Sequence, residues 1–181
     1  MLTVTHGDVL SMTADAIVLP IDGTFVPASE QYERLLGNVA RQFLRAIPEA
    51  DLLEQIEAQV DLPLALGKAT AVELPDARFR FAVLVSTLHH LEVLDTRAKR
   101  ALARDSFSAA IRCARQAGAT RIATPILQGG WRLSPDTAFA AMLESSELAQ
   151  DPTTCVEVAI PDAELAAQCA ALARSMGYGA S

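Results

Sequence analysis

The sequence predicts an α/β chain built as a three-layer α/β/α sandwich, with helices on both faces of a central sheet. Three observations predict it. Short apolar strand patterns alternate with helical patterns along the 181 residues. Val83-Leu84-Val85 is a continuous apolar run, as expected of a strand covered on both faces. A long segment near residue 105 repeats its apolar residues at three- and four-residue steps, which gives a helix one stripe to lay on a sheet.

Taken in order, Leu2 to Thr5 reads as the first strand and Asp15 to Pro20 as the second. The region from about Ser29 to Val60 reads as helical, broken at Ile47-Pro48, because a residue before proline is driven out of the helical region. Lys68 to Leu74 and Phe81 to Ser86 are further strands. A helix is expected over Thr96 to Gln116. Ala103, Phe107, Ala110, Ile111 and Ala114 share one face of it, and Arg100, Arg104, Arg112 and Arg115 lie elsewhere. Gly118 follows its last turn, where a left-handed residue commonly ends a helix. Ile122-Ala123-Thr124 is the next strand, then a helix from Pro135 with Ser134 as its cap. Gln150-Asp151-Pro152-Thr153 reads as a loop. Cys155 to Ile160 is the final strand and leads into a helix capped by Asp162. Without repeats, low-complexity tracts or linkers, residues 1–181 are expected to form a single domain.

Composition narrows the function classes. Hydrophobic residues make up 51% and charged residues 20%, a globular balance rather than a disordered one. No run approaches the roughly 18 apolar residues of a membrane span. Met1 to Thr5 carry no basic n-region and enter a strand pattern, so no signal peptide and a cytoplasmic location are expected. Cys113, Cys155 and Cys169 show no CxxC spacing, and Cys113 and Cys155 sit in apolar patterns as expected buried free thiols. His6, His89 and His90 lack a second ligand cluster, so neither a metal nor a cofactor is expected. The net charge of -7 argues against a broad nucleic-acid surface. It leaves room for a small phosphorylated ligand, which backbone N–H groups and a helix dipole hold without basic side chains.

In open α/β sheets, ligands occupy the crevice outside the carboxyl ends of the strands. The loops to examine are therefore His6 to Val9, Ile21 to Thr24, the turn before Asn38, Thr87 to His90, and Leu127 to Arg132. The last is the most informative. A strand opens into Gln128-Gly129-Gly130-Trp131-Arg132 and a helix starts at Ser134-Pro135, so free amides and an aromatic wall meet at one place. A helix-start Ser-Pro after a Gly turn is also plain architecture. Gly7-Asp8-Val9 sets a carboxylate on the rim. Being an acceptor only, it suits an exocyclic amine such as that of adenine, or it is a turn Asp bonding its own backbone. Gly37-Asn38, both tolerant of positive φ, either exposes amides to a phosphate or ribose or marks a kinked helix junction. Asp22-Gly23 is a turn dipeptide, and His89 and His90 are acid/base types without an identifiable partner. No nucleophile elbow, Walker loop or GxGxxG is present.

In order and spacing, these segments resemble a macro domain, the ADP-ribose-binding module, over nearly the whole chain. Gly7-Asp8-Val9-Leu10 with Ala14-Asp15-Ala16-Ile17-Val18 resembles the family's Gly-Asp-Ile turn and Asp-Ala-Ile-Val strand. Gly37-Asn38-Val39-Ala40 resembles its glycine-run-Val-Ala segment, and Leu66-Gly67-Lys68-Ala69 its Gly-Glu-Ala strand entry. Ile122-Ala123-Thr124-Pro125 through Gly129-Gly130-Trp131 is similar to its Ile-Ala-Phe-Pro strand and phosphate loop. The resemblance implies a mixed, mostly parallel central sheet. It also implies a pocket in which Asp8 meets the adenine amine beside the Val9 amide. Gln128-Gly129-Gly130-Trp131 and the turn at Asn38, Val39 and Ala40 would embrace the diphosphate, with Trp131 near the distal ribose.

The departures are specific. Leu19-Pro20-Ile21-Asp22 stands where the family has an Asn-Ala-Ala-Asn run, so Asp22 replaces the asparagine associated with distal-ribose orientation and de-ADP-ribosylation. Leu127 and Gln128 stand where Ser-Thr is usual. Arg132 replaces the second loop glycine and would either contact a phosphate or obstruct the site. Three functions stay open: binding of ADP-ribose, free or on a macromolecule; hydrolysis of mono-ADP-ribosylated substrates, with Asp22 or His90 replacing the asparagine; and a scaffold that has lost its pocket.

Overall fold

Among the described residues six strands form one sheet: β1 (Leu2–His6), β2 (Ala16–Asp22), β3 (Ala69–Glu73), β4 (Phe81–Leu88), β5 (Arg121–Thr124) and β6 (Cys155–Ile160). The structure is a computed structural model that describes residues 1–24, 36–75, 78–90, 92–130, 132–150 and 153–179. The spatial order is β1-β6-β5-β2-β4-β3. Neighbours pair in parallel except β3, which runs antiparallel to β4 at the edge. A short connection can join only antiparallel neighbours, and β3 and β4 are separated by a handful of residues. The sheet is therefore mixed and mostly parallel, as expected.

Strand alternation sorts the core into two layers. Ala16, Val18, Val83, Val85, Ile122, Val156 and Val158 face one side. There they meet Phe107, Ala110 and Ile111 of α3 (Thr96–Gln116), Phe139 and Met142 of α4 (Pro135–Leu143), and Ala166 and Cys169 of α6 (Ala163–Ser175). Ile17, Leu19, Ile21, Ala82, Leu84 and Ala123 face the other side. They pack on Phe43 of α1 (Asn38–Ala46) and on Leu52 and Ile56 of α2 (Leu52–Gln59). Phe43 and Phe79 close this layer with ring centroids 6.2 Å apart. Each such fully buried Phe or Leu contributes about 1.5–3 kcal/mol. The result is the three-layer sandwich.

The element boundaries follow identifiable residues. The helix expected over Thr96 to Gln116 is α3. Asp95 starts it by accepting from Ala98 N at 2.7 Å, and Gly118 leaves it with φ +90°. The helical region expected to 60 is split as foreseen at Ile47-Pro48 by a 3-10 turn, Pro48–Ala50, and Asp51 at φ 45° restarts the chain as α2. Its opening stretch, 29–35, lies outside the described residues. Asp162 caps α6 by accepting from Leu165 N at 2.8 Å.

Three expectations are corrected. Glu147–Gln150 forms a short helix, α5, so Gln150 belongs to a helix and not to the loop. Ser134 precedes α4, but its hydroxyl donates to Thr137 Oγ1 at 2.8 Å instead of accepting from a backbone N–H. Cys113 and Cys155 are half-buried, and the buried thiol is Cys169, pushed up to about pKa 11 by burial and then by Asp136. Among the described residues no helix is long and apolar enough to cross a membrane.

Candidate functional site

The carboxyl ends of β1, β2, β4, β5 and β6 meet at one rim, since those strands run in parallel. A cleft of about 930 Å³ lies along it, a volume suited to a nucleotide-sized ligand. Asp8 and Val9 follow β1, Pro20 to Asp22 end β2, Thr87 and Leu88 end β4, Gln128 to Gly130 follow β5, and Ile160 to Asp162 follow β6. Gly37, Asn38, Val39 and Gln42 at the start of α1 complete the wall.

Of the two alternatives left open by its sequence, the structure shows Asp8 as a turn Asp bonding nearby backbone. Its Oδ1 accepts from Leu10 N at 3.0 Å and caps the 3-10 turn Val9–Ser11. Its Oδ2 makes no hydrogen bond among the described residues, so an acceptor remains at the rim.

At α1 the helix begins on Gly37 with φ +76°, and a Cβ there would lie 2.6 Å from the Pro20 carbonyl oxygen. Only glycine lets the helix start so close to β2. Among the described residues no side chain caps its first turn, and no acidic residue stands in it. Its N–H groups are therefore available to an anion where Asn38 and Val39 line the cleft. Ala40 differs, because its side chain is buried in the core beneath α1 and only its backbone belongs to the turn.

The loop after β5 turns through Gly129 at φ +62° and Gly130 at φ +65°, beside the Thr87 carbonyl and the Leu88 side chain. Gln128 closes it. Leu133 N donates to Gln128 O at 3.2 Å, and Gln128 Nε2 donates to Leu133 O at 3.1 Å. Leu127 is buried and its N–H faces Met142 Sδ at 3.4 Å, so an apolar residue here anchors the loop. Arg132 is not among the residues lining the cleft. Its guanidinium donates to Glu92 O at 2.8 Å and His89 O at 3.3 Å, stapling the β5 loop to the β4 loop. Trp131 lies outside the described residues.

Asp22 is buried and multiply held. Its Oδ1 accepts from Thr24 N at 3.0 Å and Thr24 Oγ1 at 2.7 Å, and its Oδ2 accepts from His90 N at 3.0 Å. His90 Nδ1 lies 3.2 Å from the same Oδ2, so the histidine without a visible partner in the sequence has one 68 residues away. His89 is tied elsewhere, its ring nitrogens 3.0 Å from Leu64 O and 3.1 Å from Glu92 Oε1.

The sequence pointed to the β1, β2, β4 and β5 loops but not to the turn after β6. Asp162, Glu164 and Gln168 line the cleft from that turn and from α6. The signal was available, because the rule that directs attention to strand carboxyl ends applies equally to β6. Among the described lining residues, Asp8, Asp22, Asp162 and Glu164 are acidic and none is Lys, Arg or His. An anion in this cleft would depend on backbone amides. Among the described residues no group of His, Cys, Asp and Glu is placed to hold a metal ion.

No family model matches the chain, and no curated protein matches its sequence. Solved structures do. A mutant Oceanobacillus iheyensis macrodomain with ADPR superposes with TM-score 0.74 at 15% identity, over 98% of this chain and 94% of that one. The macro domain of ganglioside induced differentiation associated protein 2 gives 0.72 at 15% identity, over 99% and 85%. The macrodomain of Mycobacterium tuberculosis DarG gives 0.64 at 20% identity, over 90% and 99%. Strand order, cleft and these superpositions agree: the chain has the macrodomain fold.

Proposed function

We propose that the cleft binds ADP-ribose or a related adenine nucleotide derivative, free or attached to a macromolecule. One observation carries the reading. The uncapped first turn of α1 and the Gly129–Gly130 turn both border a cleft that has a carboxylate acceptor, Asp8, beyond the end of β1. Three strand spacings separate β1 from β2 in the sheet, roughly 14 Å. An extended adenosine diphosphate sugar fits that span. Its purine amine would donate to Asp8, its diphosphate would lie by the amides of α1 and the glycine turn, and its distal ribose would reach the end of β2. The fold shared with a macrodomain solved with ADPR supports the same reading.

Titration calorimetry with ADP-ribose tests it. One site per chain is expected, and Asp8→Ala should weaken it by about 1–3 kcal/mol, the loss of one charged hydrogen bond. The melting curve should stay close to that of the parent, because the substitution removes a single turn-capping hydrogen bond from the folded state. Absence of heat and of thermal protection at millimolar ADP-ribose would overturn the reading.

A further inference from the structure

We propose that Arg132 is a positioning residue for the phosphate end of the ligand: it stays off the ligand, and its guanidinium, forked between two loops, holds the glycine turn in its binding shape before the ligand arrives. This rests on the binding reading above. Gly129 at φ +62° and Gly130 at φ +65° place two left-handed residues in succession, and glycine loses more freedom on ordering than any other residue. A turn left to order itself on the ligand subtracts that loss from affinity, and a turn ordered beforehand does not. Leu133 N and Gln128 Nε2 close the loop on itself, which fixes its shape but not its place. Among the described residues the hydrogen bonds that join it to the β4 loop are those of Arg132, to Glu92 O at 2.8 Å and His89 O at 3.3 Å.

The receiving end is rigid. Glu92 N donates to His89 O at 3.0 Å, Glu92 Oε1 lies 3.1 Å from His89 Nδ1, and His89 Nε2 lies 3.0 Å from Leu64 O in the segment before β3. The two carbonyls therefore stand at a fixed separation, which a planar fork of N–H donors matches and a single ammonium does not. The turn also has no slack against β4. A Cβ on Gly129 would lie 3.0 Å from Thr87 O, and one on Gly130 2.9 Å from Leu88 Cδ2, so displacement of the β4 loop displaces the turn. Arg132 acts from behind. With Lys99 and Leu102 it borders a small hollow that shares Thr87, Gln128 and Gly129 with the cleft, and it does not line the cleft itself. The turn borders the cleft, and the guanidinium supports the turn.

The test measures ADP-ribose affinity by calorimetry for the parent, Arg132→Met and Arg132→Lys, and amide hydrogen exchange of the unliganded proteins at residues 88–90 and 128–130. Arg132→Met should bind about tenfold more weakly, and Arg132→Lys, which keeps the charge and loses the fork, at least about fivefold more weakly. Exchange at both loops should speed up by at least about fivefold in each variant, and saturating ADP-ribose should slow it again. Exchange elsewhere in the sheet should stay as in the parent, and Arg132→Lys carries the test if Arg132→Met fails to fold. An Arg132→Met variant that binds as tightly as the parent overturns the inference. So does Arg132→Lys at parent affinity, which would assign Arg132 a role through its charge. Weakened binding with unchanged exchange overturns it too, and would place the guanidinium on the diphosphate. Each of these leaves the binding reading standing. A parent that does not bind ADP-ribose removes both.

Discussion

Asp15 shows how much one side chain contributes when it joins two strands. It precedes β2 at the rim opposite the cleft, and its Oδ2 accepts from Thr120 N at 2.7 Å, Thr120 Oγ1 at 2.8 Å and Arg121 N at 2.8 Å. Burial works to raise its pKa, but the bonds from Arg121 and Thr120 outweigh it and hold the carboxyl below its usual range. The sign follows. A pKa lowered by folding stabilises the native state above the unfolded value, near 3.9, and the gain is lost as pH falls through the folded value. Asp15→Asn is therefore expected to lower stability at pH 7 by about 1–2 kcal/mol, roughly 3–8 °C in Tm. Melts repeated near pH 3 should narrow the gap between the two proteins, and an equal gap at both pH values would show that charge is not the cause.

At the scale of elements, α5 is a single turn that fixes the far end of α3. Its Glu147 is buried and accepts from Arg112 Nε at 3.0 Å and Nη2 at 2.8 Å, and from Arg115 Nη1 at 3.2 Å. Arg115 Nη2 also donates to the Glu147 carbonyl at 2.8 Å. Removing the buried carboxylate takes an acceptor from both guanidinium groups, but Arg112 is 58% exposed and regains water, so Glu147→Ala should cost about 1–3 kcal/mol in urea unfolding, and Glu147→Gln clearly less. Equal losses for both variants would locate the effect in packing and not in charge. Such elements mark the limit of what the sequence makes legible. α3 is readable because 21 residues repeat one apolar stripe, and the strands because their apolar runs are continuous. Four residues of α5 hold no period, and its anchors are 32 and 35 residues away. The site divides in the same way. Asp8, the Gly37 turn and Gly129-Gly130 are local patterns and were visible. The Asp22–His90 pair and the Arg132 staple join residues 68 and 43 apart, and no local pattern reports a partner at that separation.

The whole molecule sets the sign of one further measurement. The chain carries a net charge of -7, and the described cleft lining adds Asp8, Asp22, Asp162 and Glu164 without a basic side chain. A diphosphate bound as proposed would be repelled from this surface at long range and held at short range by backbone amides, which release few counterions on binding. Salt screens the first effect and hardly touches the second. The Debye length shrinks from about 30 Å at 0.01 M to about 8 Å at 0.15 M, so added salt removes repulsion before it weakens contacts. ADP-ribose affinity should accordingly rise about two- to fivefold over that range, the opposite of a phosphate site built from lysine and arginine. Calorimetric titration at four or five sodium chloride concentrations gives the slope. A tenfold fall in affinity would instead mean that a guanidinium, Arg41 on α1 or Arg132 released from its two carbonyls, reaches the diphosphate in the complex.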